Sequence, residues 1–263
     1  MTKVKKAIVA LLGVTVVLGN STSAAAAVTE SFDKPVRKTV VNLGRSPYLM
    51  PNSPSRIQLS CFYYKDFMVK ELDDPGLKGV RWVTVTPVIN EEAPACRLAH
   101  SSTERFMAKE WWGFIGVKGS FLFLEAADGD NGGMPFRILD LKTGRKIFED
   151  SAWWDGHLEF VHTTDGTLSL RYLRVVGGDC SIPKDGMSCW SKFRRRYGLP
   201  IAEVPKCEGY RVEGEKEWVV GDEGVAPAEI NTPSAIAYPV VVKLFPRPTI
   251  RAVPGPVKCT PVE

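Results

Sequence analysis

Residues 112–125 read Trp-Gly-Phe-Ile-Gly-Val-Lys-Gly-Ser-Phe-Leu-Phe-Leu-Glu, two apolar runs separated by Lys118-Gly119. This pattern is typical of a β-hairpin, because glycine tolerates the positive φ that a two-residue turn requires. Similar pairs of runs flank Gly144, over residues 135–149, and Gly166, over residues 157–176. Together they predict a six-strand antiparallel meander across residues 112–176.

The last run of this region shows the alternation most clearly. Over residues 167–176, Leu168, Leu170 and Tyr172 project to one face of an extended chain, whereas Ser169 and Arg171 project to the other. A period of two is the pattern of a half-buried strand.

Further strands are predicted on both sides of this region. Residues 58–69 and 79–88 are rich in aromatic and β-branched side chains, and Asp73-Asp74-Pro75-Gly76 between them has turn chemistry. Residues 235–245 form another apolar run, which Pro239 restricts to a sheet edge or a bulge.

One segment predicts a helix. Trp190, Phe193 and Tyr197 recur at spacings of three and four, and Gly198 with Pro200 ends the pattern. A weaker helical pattern covers residues 102–111, where Phe106 and Glu110 lie near one face.

The expected fold is therefore mainly β: a β-sandwich or an irregular two-layer antiparallel meander, with one short helix and disulfide staples. An alternative follows from residues 140–148, which resemble the strand-turn-strand hairpin of a β-propeller blade. That unit occurs once, without the repeat that a propeller requires, so a small or partial propeller-like fold remains the alternative.

The first 27 residues have the features of a signal peptide. Lys3, Lys5 and Lys6 precede twelve uncharged residues, Ala7–Leu18, and a run of alanines ends at Ala27. The apolar run is too short to span a bilayer, so we expect export to a bacterial periplasm or the medium and no membrane span after cleavage. The rest divides into an extended, Pro-containing lead-in at 28–55, which has one strand-forming run, and a single β-rich domain at 56–263 with a Cys-rich helical insertion at about 177–210.

Removing the leader changes the charge argument. The whole chain has 34 basic and 30 acidic residues. Without the three leader lysines the balance is 31 − 30 = +1. Near-neutral charge disfavours a nucleic-acid-binding role.

The six cysteines are expected to form three structural disulfides, since none lies in a Cys-x-x-Cys pair. Because short loops close most readily, the preferred pairing is Cys61 with Cys96, Cys180 with Cys189, and Cys207 with Cys259.

Two stretches with carboxylate or histidine side chains are candidate metal sites, and neither has the ligand spacing of a known metal motif. His157 and Glu159 alternate with apolar residues on a predicted strand, so His162 would face the other way. Asp128 and Asp130 lie in a glycine-rich loop that fails the EF-hand pattern. We therefore expect no metal and no other cofactor.

Two adjacent pairs, Trp111-Trp112 and Trp153-Trp154, are the main ligand-binding candidates, together with Asp155. In an extended chain neighbouring rings point in opposite directions, so one ring of each pair could face solvent and pack on a sugar. The competing interpretation is that both rings are covered.

The basic run Lys192, Arg194, Arg195 and Arg196 could meet phosphate or an anionic envelope polymer. A solvated helix end that suits the helix dipole explains the same residues without a partner.

Common catalytic and nucleotide-binding motifs are missing from the sequence. The favoured hypothesis is a non-enzymatic binding or envelope-associated module, with envelope polysaccharide or an envelope protein as its partner. One alternative is a secreted glycan hydrolase with carboxylates from Glu125, Asp128, Asp130 and Asp155. Another is a protein-partner or inhibitor module built on the Cys-rich segment.

Overall fold

The computed structural model describes residues 29–90, 92–155, 158–162, 168–211 and 228–262. The predicted signal peptide at 1–27, the metal candidate His157 and the predicted turn at 163–166 lie outside the described residues.

The described chain is mainly β, as predicted, and its strands form two antiparallel sheets. In chain order the strands are β1 (Thr29–Glu30), β2 (Arg37–Asn42), β3 (Gln58–Tyr63), β4 (Phe67–Asp73), β5 (Val80–Pro87), β6 (Arg105–Lys109), β7 (Trp112–Lys118), β8 (Phe121–Ala126), β9 (Gly133–Asp140), β10 (Lys146–Trp153), β11 (Glu159–His162), β12 (Leu168–Gly177), β13 (Ser234–Lys243), β14 (Thr249–Ala252) and β15 (Lys258–Pro261). Helices α1 (Ile182–Asp185) and α2 (Met187–Tyr197) separate β12 from β13.

The five-stranded sheet follows chain order, β2-β3-β4-β5-β6. Its outer strand β2 comes from the lead-in segment and contains the predicted run Thr39–Val41. The lead-in is thus extended, and it adds a strand to an edge.

The ten-stranded sheet has the order β1-β11-β12-β10-β9-β8-β7, and β13 pairs with β12 and carries β14 and β15. The predicted six-strand meander is correct only for its first four strands. After β10 the next neighbour is β12 rather than β11, through the pair Ala152–Arg174, and β11 pairs with residues 168–171 on the same edge of β12. The other edge of β12 is occupied by β13 along residues 169–177. A hairpin pattern does not specify which of its two strands pairs with the preceding hairpin, and the ten-residue β12 is long enough to pair with β11 and β10 one after the other.

The two sheets share a core, which arises from the alternation of apolar residues along β8. Leu122 and Leu124 are buried against Val69 and Val83 of the five-stranded sheet. Phe123 belongs to the cluster on the opposite face of its strand. Both faces of β8 are therefore covered, in agreement with a two-layer fold rather than the propeller-like alternative.

The predicted helix is present as α2, and Gly198 ends it with φ +64°. Trp190 and Phe193 are buried on its apolar side. The weaker helical pattern at 102–111 was wrong: Arg105–Lys109 is strand β6, because these residues pair with the open edge of β5. Two residues with helical spacing do not compete with a ladder of backbone hydrogen bonds.

All three predicted disulfides are formed, and the described residues include no free cysteine. Cys61–Cys96 fastens the loop between β5 and β6 to β3, Cys180–Cys189 fastens α2 to the end of β12, and Cys207–Cys259 fastens the segment after α2 to β15. Neither helix of the described segments has the length and apolar character needed to cross a bilayer.

Candidate functional site

Both tryptophan pairs lie at the same end of the ten-stranded sheet. Trp112 begins β7 and pairs with Ala126, whereas Trp153 ends β10 and pairs with Gly133. Strands β7 and β10 are separated by three inter-strand spacings, a distance of about 14 Å. We call this end, formed by residues 110–112, 127–133 and 153–155, the tryptophan edge.

One ring of each pair is exposed, which is one of the two arrangements that the sequence left open. Trp111 is 49% exposed and Trp154 is 67% exposed. Their neighbours Trp112 and Trp153 are half-buried. The covered rings are held by cations: the Arg137 guanidinium lies 3.8 Å from the Trp112 ring centroid, and Lys258 Nζ lies 4.6 Å from that of Trp153.

Trp111 is held outward by its backbone. Glu110 and Trp111 form the link between β6 and β7, and both have positive φ, +49° and +59°. The left-handed region is rare for a bulky side chain, and such a residue costs on the order of 1–3 kcal/mol unless its surroundings fix it. Here the Ala127 N–H donates to the Trp111 carbonyl at 2.7 Å, and Gly79 leaves room for the Trp111 backbone, since a Cβ at Gly79 would be 2.8 Å from its Cα.

Charged groups lie near both tryptophan pairs. Lys78 Nζ lies 5.1 Å from the Trp111 ring centroid and also forms an ion pair with Asp128. The hydrogen bond from Lys78 lowers the pKa of Asp128, which is therefore ionised at neutral pH. Beside Trp154, the exposed carboxylate of Asp155 is 3.3 Å from Lys258 Nζ. An ammonium group thus lies beside the exposed ring of Trp111, and another lies beside the covered ring of Trp153, each paired with a carboxylate. These groups can accept and donate hydrogen bonds to hydroxyl groups.

The glycine-rich loop between the tryptophan pairs is a tight turn. Asp130 and Gly133 exchange backbone hydrogen bonds, and Asn131 and Gly132 have φ of +57° and +71°, the pattern of a type I′ turn. The Trp153 ring packs on this turn, because a Cβ at Gly132 would lie 2.8 Å from the ring. Turn geometry therefore accounts for the glycines that suggested a calcium loop.

The described residues contain no group of three or more His, Cys, Asp or Glu side chains that could hold a metal ion. Of the weak candidates, Asp128 is paired with Lys78, Asp130 belongs to the turn, and Glu159 lies opposite Arg171 in the β11–β12 ladder.

The carboxylates of the hydrolase alternative differ in environment. Burial raises the pKa of Glu125, which lies on the same face of β8 as Phe123 and on the opposite face from Leu124. The hydrogen bond from Lys78 lowers the pKa of the exposed Asp128. Asp130 and Asp155 are exposed. Neither Glu125 nor any of these aspartates lines the cavities of about 340, 380 and 480 Å³ that the described residues form.

Three cavities, which no sequence pattern indicates, lie in the described part of the chain. One of about 480 Å³ lies between the two sheets, at the end opposite the tryptophan edge, and includes Phe67, Val85 and Leu141. One of about 340 Å³ lies under the loop fastened by Cys96. The third, of about 380 Å³, lies between α2 and the residues that follow β12.

The five-stranded sheet also carries a buried ion pair. Lys70 and Glu104 are each 2% exposed, with 2.9 Å between Nζ and Oε1. Lys70 also donates to the carbonyls of Arg97 and Ala99, and Glu104 accepts from Thr84 and the Ser101 N–H. Because both charged groups have several polar partners here, we assign the pair a role in holding the loop between β5 and β6.

Neither a protein-family model, a curated protein nor a solved structure matches this chain. The geometry of the chain's own residues is consequently the only basis for a functional proposal.

Proposed function

We propose that this protein is an exported, non-enzymatic binding module that holds an extended glycan along the tryptophan edge. The observation that carries the proposal is the exposure of Trp111 and Trp154 at one end of one sheet, where they adjoin strands β7 and β10, which lie about 14 Å apart. Such a separation favours an extended ligand over a single small molecule.

The chemistry of the two rings supports a sugar ligand. An indole face packs against the apolar face of a pyranose. The ion pairs Lys78–Asp128, beside the Trp111 ring, and Lys258–Asp155, beside the Trp153 ring, offer hydrogen bonds to ring hydroxyls. The strained backbone of Trp111 points the same way, since residues in sparsely populated conformations cluster at ligand-binding sites.

Export is part of the proposal. All six cysteines are paired, which is typical of proteins that mature in an oxidising compartment. The leader features at 1–27 support the same location.

The test is a titration of the purified, oxidised protein with neutral and acidic cell-wall and exopolysaccharide glycans, followed by calorimetry and tryptophan fluorescence. We expect Trp111→Ala and Trp154→Ala each to weaken binding about tenfold, which corresponds to about 1.4 kcal/mol. Phe245→Ala is the matched control, since Phe245 is an aromatic residue that is 66% exposed outside the tryptophan edge. Equal affinities for all three variants, or no binding by any glycan, would refute the proposal.

Turnover separates this function from the hydrolase alternative. Product release from a glycan that is lost in Glu125→Gln or Asp128→Asn would favour the enzyme. Binding without product release in the unmodified protein would favour the module. A stable protein complex recovered from envelope extract would instead support the partner-binding alternative.

A further inference from the structure

The basic run of helix α2 lines the third cavity. We call this the cationic cavity: it encloses about 380 Å³ between α2 and the segment Gly177–Cys180, and its charged walls are Lys192, Arg195, Arg196 and Asp179. Three positive charges and one negative charge leave the walls with a net charge of +2.

The three cations converge because of their helical spacing. Lys192, Arg195 and Arg196 stand at i, i+3 and i+4, so one face of α2 presents all of them. Within the described segments, none of the three forms an ion pair with a carboxylate. The helix dipole favours cations in the last turn, but it does not require that they share a concave surface.

The two backbone segments that form the walls of the cavity pack closely together. A Cβ at Gly178 would lie 2.3 Å from Phe193 Cζ, so glycine permits a close approach of α2 to the chain after β12. The disulfide Cys180–Cys189 fixes that approach, and Trp190 is fully buried beside it. The two backbone walls of the cavity are therefore held together before an anion binds, so binding does not have to bring them together.

Its position connects it to the tryptophan edge. A Cβ at Gly177 would lie 3.7 Å from Asn131 Nδ2, and Asn131 precedes Gly132, on which the Trp153 ring packs. Trp154 also adjoins this turn, since its N–H donates to the Gly132 carbonyl at 3.0 Å. The cationic cavity and Trp154 are therefore both next to one turn.

We propose that the cationic cavity binds the anionic group, phosphate or carboxylate, of an acidic glycan. Guanidinium groups match the planar geometry of such oxyanions and bind them through paired N–H···O contacts. The anion site stands on the cavity alone, whereas the identification of the ligand as a glycan rests on the function proposed above.

The test compares two double variants of the full, oxidised chain that lose the same charge. Arg195→Gln/Arg196→Gln removes two cations from the cavity, and Lys34→Gln/Arg145→Gln removes two exposed cations that do not line it. The probes are polygalacturonate, inorganic phosphate and neutral dextran, each titrated at low and at high salt. Circular dichroism verifies that both variants fold, as expected for exposed side chains.

We expect polygalacturonate binding to weaken at least tenfold in Arg195→Gln/Arg196→Gln and less than twofold in the control. Unchanged affinity for polygalacturonate and phosphate in the cavity variant would overturn the proposal, as would equal losses in both variants. Phosphate binding alone, lost in the cavity variant, would establish the anion site and assign its ligand to a phosphate group instead of a uronic acid. The tryptophan proposal is tested separately with dextran: its failure there would leave cavity-dependent phosphate binding intact.

Discussion

Glu104→Gln is expected to be among the most damaging conservative changes in this chain. The Glu104 carboxylate accepts from Lys70 Nζ at 2.9 Å, from His100 Nδ1 at 3.1 Å and from the Ser101 N–H at 3.1 Å. Glutamine retains the shape but removes the charge, so the buried Lys70 ammonium would keep only neutral partners. Breaking a buried ion pair in this way costs about 3–5 kcal/mol, a large share of the roughly 5–15 kcal/mol by which a domain is stable.

The same carboxylate should govern part of the acid sensitivity. Burial by itself would raise the pKa of Glu104, but hydrogen bonds from Thr84, Lys70, His100 and Ser101 outweigh it and hold the pKa below its ordinary value of 4.5. A carboxylate whose pKa is lowered by folding stabilises the native state above the unfolded value, and that stability is lost as the pH falls through the lower, folded value. The loss should therefore begin near pH 4.5 and continue below it.

Urea unfolding with disulfides intact, at pH 7 and at several values below 4.5, measures both effects. Glu71→Gln is the matched control, since burial raises the pKa of Glu71 and its Oε1 accepts the Phe114 N–H at 2.8 Å, a bond that glutamine can keep. Because a raised pKa destabilises the native state as the pH rises above 4.5, Glu71→Gln should be neutral or stabilising at pH 7. A cost below about 1 kcal/mol for Glu104→Gln, or equal costs for both variants, would refute this reasoning.

Three further changes test separate features. Glu110→Gly should alter the free energy of unfolding by less than about 1 kcal/mol, because Glu110 is exposed and relief of its positive-φ strain offsets the greater freedom of the unfolded chain; urea unfolding would measure this, and a clear destabilisation would contradict it. Gly178→Ala places a methyl group 2.3 Å from Phe193 Cζ and should cost about 1–3 kcal/mol, with a changed near-ultraviolet dichroism, whereas a wild-type spectrum and stability would contradict the close approach. Replacing Cys180 and Cys189 by serine opens a loop with a sequence separation of 9 and should cost about 3 kcal/mol in urea unfolding; no measurable loss would contradict the entropic account.

Local features of the fold could be predicted from the chain. Gly119 and Gly144 have the positive φ that their turns require, and the hairpins around them are present. The helix ends at Gly198 as its spacing indicated. These features depend on neighbouring residues, so a short window of sequence contains the needed information.

The position of β12 was predicted wrongly for a physical reason. Its place between β13 on one edge and both β10 and β11 on the other depends on pairing across long chain separations, including the contact of Arg174 with Asp150 at 2.8 Å. Hairpin patterns specify the faces of strands but leave open which strand is the inner one. The neighbours of the tryptophans could not be predicted for the same reason. Lys258 is more than a hundred positions from Trp153, and no spacing rule links them.

The amino-acid order alone thus determined which segments extend, where they turn and which thiols are near enough in the chain to join, because those outcomes follow from short-range sterics and loop closure. Only tertiary packing decided that two distant tryptophan pairs share one sheet end and that three helix cations enclose a cavity beside it. The tryptophan pairs come to one end because strands that bury apolar faces in one sheet align their ends. The spacing of the helix cations already places them on one face, and packing of α2 against the chain after β12 supplies the opposite wall of their cavity.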